Sequence, residues 1–332
     1  MENFNALQKI LSTPQSICIV THKNPDGDAV GSTLALQLGL HQLGHKVTSI
    51  VPNDFPEFLK WVPQQEHILR YNKSKSECAN AIQDANLIFT LDFNDFSRCG
   101  DVAEEFKKTK ADFVMIDHHQ QPAKYAKYTY SDSNMGSTCE MIYHFFDQLN
   151  ILHVLNKDIA TCIYLGIMTD TGSFRFPATT NITHQVVAKL IEAGANNAEI
   201  HQQTLDVNSF ERMQLLGVAL KNLNVISEQK TAYIHLNKEE LNAHNYQKGD
   251  TEGFVNYALS LQGIVFAVIF IESLDEDLIK ISFRSKGEVD VNLFARKYFN
   301  GGGHKNAAGG RSTQNLSETI SFFKEKLSLH QF

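Results

Sequence analysis

The first half of the chain repeats one arrangement: a short, almost wholly apolar run, a polar turn, then a stretch with helical spacing. The runs are Ser16–Val20 (SICIV), Lys46–Val51 (KVTSIV), Asn86–Phe93 (NLIFTLDF) and Asp112–Asp117 (DFVMID). A strand that is apolar on both faces must be covered on both, and helices placed by βαβ crossovers do that. The pattern predicts a doubly wound, mostly parallel α/β sheet. Ala29–Gly44 reads as one covering helix, and Asn181–Ala195, with amphipathic spacing, as another. Ile159–Met168 (IATCIYLGIM) is apolar throughout, so its period does not separate helix from strand. The charged run Glu104–Lys110 (EEFKKTK) reads as a solvated helix face.

From Met213 the pattern changes. A helix is followed by the alternating runs Thr231–Leu236, Ile264–Phe270 and Leu278–Arg284, which predict a smaller mixed α/β domain. The expected division is a first domain over 1–195, a polar connection over 196–212 and a second domain over 213–332. A chain of 332 residues is long enough for two such cores. It opens with no leader-like segment and has no apolar run able to span a bilayer, so a cytoplasmic protein without a membrane partner is expected. Its five cysteines stand singly and read mainly as core thiols. The net charge of −7 argues against long duplex DNA held along a broad groove, because phosphate contacts need a basic surface. A short anionic ligand is compatible with that charge if metal ions supply positive charge locally.

Ligands of open α/β sheets bind beyond the carboxyl ends of the strands. The residues at the end of each apolar run are therefore informative. His22, Asp26 and Asp28 come after the first, Asp92 closes the third, and Asp117, His118 and His119 end the fourth; Asp170 comes after Ile159–Met168. Any one of these alone reads as a helix cap or a satisfied polar residue. Together they place several carboxylates on one edge, where they repel unless a cation neutralises them. The donor set is His and Asp without thiolate. That suits Mn²⁺ or Mg²⁺, tolerates Co²⁺, Fe²⁺ or Zn²⁺, and disfavours a structural Cys-type zinc site. Some six ligands suit two ions sharing a carboxylate, the arrangement used for phosphoester or phosphoanhydride hydrolysis. In the loop Pro25–Ser32 (PDGDAVGS), Pro25 and Gly27 bend the chain so that Asp26 and Asp28 can face different ions. No Gly-Lys-Ser/Thr comes after it, so this is not a Walker phosphate loop.

The second domain has one sharp feature, Gly301–Gly310 (GGGHKNAAGG), in which small residues permit close backbone approach around His304. Arg284, Arg296, Lys305 and Arg311 lie nearby in sequence, which fits an anion site.

In combination, HKNPDGDAVGS, LDFND, DHH and TDTGSF, in that order, resemble the DHH phosphoesterase superfamily, and GGGHKNAAGG resembles the signature of its DHHA1 domain. The resemblance spans nearly the whole chain. Length and the lack of added domains are similar to the nanoRNase group, bifunctional oligoribonucleases and pAp (3′-phosphoadenosine 5′-phosphate) phosphatases. It implies an active site in a cleft between the two domains and two divalent ions, Mn²⁺ first, with Mg²⁺ and Co²⁺ as alternatives. His22 and Asp26 would bind one ion, Asp28, His118 and Asp170 the other, and Asp92 would bridge them. Asp117 would orient an imidazole, and His119 would meet the scissile phosphate. Arg284, His304, Gly302 and Gly303 would hold the far end of the substrate, with Arg98 as a further phosphate contact. The implied substrates are short single-stranded RNA, cut to nucleoside 5′-monophosphates, and pAp, cleaved to AMP and phosphate. A homodimer is a further expectation.

Rival readings share the motifs. A cyclic dinucleotide or its linear product (pApA) is one alternative substrate. An inorganic pyrophosphatase is disfavoured because the glycine-rich segment stands where such enzymes carry a Ser-Arg-Lys-Lys signature. A processive RecJ-type exonuclease is disfavoured because no added strand-binding domain is visible. A non-catalytic nucleotide sensor is the alternative of another class, disfavoured because every expected ligand is present.

Overall fold

The computed structural model describes residues 3–329, which divide between Val207 and Asn208 into two compact units. The first unit carries six strands: β1 (Ser16–Thr21), β2 (Lys46–Val51), β3 (Leu69–Arg70), β4 (Leu87–Leu91), β5 (Asp112–Asp117) and β6 (Tyr128–Ser131). All pair in parallel, in the order β3-β2-β1-β4-β5-β6. This is the doubly wound α/β sheet that the apolar runs predict. Its order reverses direction between β1 and β4, where such sheets open a crevice at their carboxyl rim.

The helices of this unit are α1 (Phe4–Leu11), α2 (Gly27–Gln42), α3 (Lys75–Gln83), α4 (Ala103–Phe106), α5 (Thr138–Gln148), α6 (Lys157–Asp170), α7 (Asn181–Glu192) and α8 (Asn197–Leu205). They account for the continuous apolar strands. Ile17 and Ile19 of β1 enter a core shared with α2, α5 and α6, whereas Cys18 and Val20 enter a second core with Cys78, Ile82 and Phe106. Successive residues of a strand point to opposite faces, so both parities must be apolar when both faces are covered. Ile159–Met168, unreadable by period, lies in α6; every residue from Ile159 to Met168 is buried. A helix enclosed on all sides has no polar face to mark its turn. All five cysteines are buried free thiols.

The second unit holds α9 (Phe210–Lys221), β7 (Asn224–Ile226), β8 (Thr231–Leu236), α10 (Lys238–Ala243), α11 (Phe254–Leu259), β9 (Phe266–Glu272), β10 (Ile279–Ser285), α12 (Val291–Tyr298), β11 (Gly302–His304), β12 (Ala307–Ser312) and α13 (Leu316–Ser328). Its sheet runs β11-β12-β10-β9-β8-β7 and is mixed, with β8 and β9 parallel and the other neighbours antiparallel. Again both faces are covered: Phe266, Val268 and Phe270 join one core, Ala267 and Ile269 the other. The stretch 196–212, expected as a connection, contains α8, capped by Asn196, and the start of α9, capped by Ser209. Its polar composition reflects helices with narrow apolar faces. Among the described residues, no helix is long and apolar enough to cross a membrane.

Candidate metal centre

The ends of β1, β4 and β5 and the start of α2 and α5 converge on one rim of the first sheet. His22 comes directly after β1. Its Nδ1 lies 2.9 Å from the carbonyl of Lys23, so Nδ1 donates and Nε2 is presented to Asp92 Oδ2 at 3.3 Å and Asp26 Oδ2 at 3.8 Å. His118 comes directly after β5 and repeats the device. Its Nδ1 donates to the carbonyl of Met135 at 3.1 Å, and its Nε2 faces Asp170 Oδ2 (3.2 Å), Asp92 Oδ1 (3.4 Å) and Asp28 Oδ2 (3.7 Å). A carbonyl oxygen only accepts, so it fixes which ring nitrogen carries the proton and turns the other toward the carboxylates. Histidines that ligate metals are held in this way.

Asp92 sits between the two groups. One of its oxygens faces His22 and the other His118. The residue has φ 63°, a left-handed turn that Asp tolerates better than most side chains. Its backbone N–H still donates to Ile116 at 3.2 Å, so the turn begins while the ladder to β5 is intact. Asp26 divides its oxygens as well. Oδ1 caps α2 by accepting from the amides of Asp28 (3.1 Å) and Ala29 (3.0 Å), and Oδ2 faces His22. The oxygen that caps the helix and the oxygen turned toward His22 are thus different atoms. Asp170 arrives not from a strand but from the carboxyl end of α6.

His119 differs from the other imidazoles. Its Nδ1 meets Asp117 Oδ1 at 2.7 Å, and its backbone N–H donates to Asp117 Oδ2 at 3.0 Å. Burial and the charge of Arg98 hold the His119 ring well below the usual histidine range, whereas burial and Asp92 push Asp117 up to about 6. Arg98 lies on the short helical turn Phe96–Val102 after β4, and its carbonyl accepts from the amide of Lys23 at 2.8 Å.

Two contributors were missed in the sequence. Thr138, at the start of α5, donates its hydroxyl to Asp92 Oδ1 at 3.1 Å and its amide to Asp28 Oδ2 at 2.6 Å, while the Cys139 amide donates to Asp28 Oδ1 at 2.8 Å. The helix N-terminus thus cradles a buried carboxylate, a favourable site for negative charge. The available signal was Gly136–Glu140 (GSTCE), a helix start whose Ser137 accepts from the Glu140 amide. Asn94 is the other: its Nδ2 donates to the Gln120 carbonyl at 2.5 Å and its own carbonyl accepts from Ala123, tying down the loop after His119.

Divalent ions fit these residues. His22, Asp26 and Asp92 form one group, and Asp28, Asp92 and His118 another, each with ligand atoms within 4.8 Å of one another. At such separations two unit charges interact by roughly 3–4 kcal/mol at an effective dielectric near 20. Burial, then Asp92 and Asp170, push Asp28 well above the carboxylate range; burial opposes the ionised form of Asp92 too, yet hydrogen bonds with His118 and His22 hold it well below. Burial alone would lower His118, but Asp170 and Asp92 raise it well above the usual range. Cys139 lies against the same carboxylates, where burial, then Asp28, raise its thiol well above the usual range.

In the second unit, Arg284 of β10 stands opposite Ala307 of β12, and Ala307 stands opposite His304 of β11. Directly opposed residues share a face, so Arg284 and His304 flank a small alanine on one row of the sheet. Gly302 and Gly303 form the β11 side of this hairpin. Gly303 has φ 149°, and a Cβ there would lie 2.5 Å from the Ala307 carbonyl. The Gly303 amide donates to Asn292 Oδ1 at 3.0 Å. Lys305 pairs with Glu288 at 2.6 Å.

The match to known proteins falls on the same two units. The DHH family N-terminal domain model matches residues 16–167, and the DHHA1 domain model matches residues 229–329. The chain is 30% identical over 307 residues to the bifunctional oligoribonuclease and PAP phosphatase NrnA of Bacillus subtilis, covering 91% of each chain. Against the NrnA of Thermus thermophilus the identity is 31% over 294 residues, covering 88% of this chain and 83% of that one. The crystal structure of an exopolyphosphatase-related protein from Bacteroides fragilis superposes with a TM-score of 0.94 at 34% identity, covering 99% of this chain and 96% of that one.

Proposed function

The chain belongs to the DHH family and carries a DHHA1 domain, and from that premise we propose that it is a two-metal phosphoesterase. Its substrates in this reading are very short oligoribonucleotides, hydrolysed to nucleoside 5′-monophosphates, and pAp, hydrolysed to AMP and phosphate. The observation that carries the reading is Asp92, whose two oxygens face two separate His–Asp groups. Relatives with the NrnA name, of nearly the same length, support the choice of substrates.

His22 and Asp26 are assigned to one ion, Asp28, His118 and Asp170 to the other, and Asp92 to both. The oxygen-rich, thiolate-free donors favour Mn²⁺, with Mg²⁺ or Co²⁺ as substitutes. Such ions supply Lewis-acid polarisation of a phosphoryl oxygen and a more acidic water. The chain's own residues do the rest. The carbonyls of Lys23 and Met135 keep the Nε2 atoms of His22 and His118 aimed inward. The amides of Thr138 and Cys139 favour the ionised form of Asp28 and hold it in place. Asp117 grips His119 through Nδ1, which leaves Nε2 as the atom to meet the scissile phosphate, as general acid in the imidazolium form or as an electrophilic stabiliser. Arg98 stabilises negative charge near His119, and Arg284 and His304, with the backbone at Gly302 and Gly303, are the second unit's contacts to substrate.

The test is a substrate panel with the metal-stripped protein resupplied with Mn²⁺. Phosphate release from pAp and AMP release from pApA are expected, and EDTA should abolish both. Hydrolysis of pyrophosphate alone would overturn the assignment. The cytoplasmic location and a homodimer are carried as parts of the same proposal, checked by fractionation and by light scattering.

A further inference from the structure

A second concentration of charge lies on the same rim of the first sheet, beyond β2 and β3. Asp54, three residues past β2, is the carboxylate that the ion pairs of this region share. Lys60 Nζ reaches its Oδ1, Arg70 Nε lies 3.4 Å from Oδ1, and Lys73 Nζ lies 3.0 Å from Oδ2. One carboxylate is thus shared by three cations on this rim, while Glu57 and Glu66 stand exposed elsewhere on the same stretch. The cations are also held in place. Lys60 and Arg70 lie over the Phe55 ring, 4.2 and 5.1 Å from its centroid, and Arg70 donates to Gln65 and to the Ile68 carbonyl. They are not sealed off, since 24% of the Lys60 side chain and 60% of the Lys73 side chain are exposed.

This arm is joined to the metal centre. Asn53 Oδ1 accepts from the Asn24 amide at 2.8 Å, and Asn53 Nδ2 donates to Asn24 Oδ1 at 3.1 Å. Asn24 stands midway between His22 and Asp26 in the sequence and adopts a left-handed φ of 58°. Parallel neighbours end on the same side and lie about 4.8 Å apart, so β2 and β3 end roughly 5 and 10 Å along the rim from β1. An acidic metal centre therefore continues on one side into a fixed cationic arm, in a chain whose net charge is −7.

We propose that Lys60, Arg70 and Lys73 form a phosphate subsite for the internucleotide phosphate next to the scissile one. The proposal rests on the phosphoesterase reading above and adds to it a reason for handling strands longer than a dinucleotide. Phosphate contacts of this kind set register rather than read sequence. Asp54 keeps the three cations gathered when no phosphate is present. A bound phosphate shares with Asp54 the three cations gathered there.

The test compares ApA, which has a single phosphate, with ApApA, which has one more whichever end is attacked. Both are assayed with Mn²⁺ on the full chain carrying Lys60→Gln and Lys73→Gln. The KM for ApApA should rise about tenfold, two surface-strength contacts combined, with kcat and the ApA parameters unchanged. The KM for ApApA should also depend less steeply on salt than in the wild type. Lys60→Arg with Lys73→Arg should restore it. An unchanged KM for ApApA overturns the subsite. So does an equal loss on both substrates with a lowered melting temperature, which would make the arm a loop staple only. A wild type that cleaves neither substrate refutes the underlying activity and the subsite with it.

Discussion

Asp92 is the residue on which the candidate metal centre turns, and its replacement has a calculable consequence. It is 2% exposed and touches His22 at 3.3 Å, His118 at 3.4 Å and the Thr138 hydroxyl at 3.1 Å. A ligand that binds only the folded state stabilises it by about 2.7 kcal/mol at a hundredfold excess over Kd. Two sites so filled contribute about 5 kcal/mol. For a unit of this size each kcal/mol is worth about 2–4 °C, so saturating Mn²⁺ should raise the melting temperature by roughly 10–20 °C over EDTA. Asp92→Ala removes the ligand common to both groups and should leave less than a third of that shift. Asp92→Asn keeps the shape but offers one acceptor and one donor where the carboxylate offers two acceptors, so about half should survive. His22→Ala, which touches one group, should also lose about half. Each variant is melted in EDTA and in Mn²⁺, and only the difference is compared. That subtraction removes the metal-independent cost of separating Asp92 from two buried imidazoles. An Asp92→Ala protein with the full metal-induced shift would refute the sharing of this carboxylate.

The same geometry sets further outcomes. Thr138→Val removes a buried hydroxyl that donates to a carboxylate and should cost about 1.5–3 kcal/mol by denaturant titration in EDTA, with Thr138→Ser close to wild type. His118→Ala should lose bound metal by equilibrium dialysis, whereas His119→Ala should keep it and lose about 10²- to 10⁴-fold in kcat; equal metal loss in both would contradict the division of roles. Gly166→Ala puts a Cβ against Cys139 Sγ and 2.6 Å from Asp28 Oδ1, so it should cost about 1–3 kcal/mol and blunt the Mn²⁺ shift. Gly217→Ala, in the exposed middle of α9 with nothing within 4 Å of the new methyl, should instead stabilise by about 0.5–1 kcal/mol in the same melts.

How much of this was legible in the chain alone depended on the kind of force involved. The parallel sheet could be read because strands covered on both faces must be apolar at both parities. The chemical residues could be read because such a sheet puts its ligands just beyond the strand ends, where His22, Asp92 and His118 interrupt apolar runs. Asp170 was visible as a residue, but its arrival from a helix was not, since α6 is buried on every side and shows no period. The cradle of Asp28 was invisible for a different reason. Its donors are backbone amides more than a hundred residues away, and an amide has no identity in a sequence. The same holds for the carbonyls of Lys23 and Met135, which decide the tautomers of two histidines. Lys60, Arg70 and Lys73 are scattered single cations in the sequence, and folding gathers them around Asp54. By itself, then, the sequence determined the two α/β layers and the side chains able to hold metal, because burial and donor chemistry are properties of residue types. Only the tertiary structure decided which oxygen faces which imidazole and which charges stand together, because those depend on distances of a few ångströms between segments that are remote along the chain.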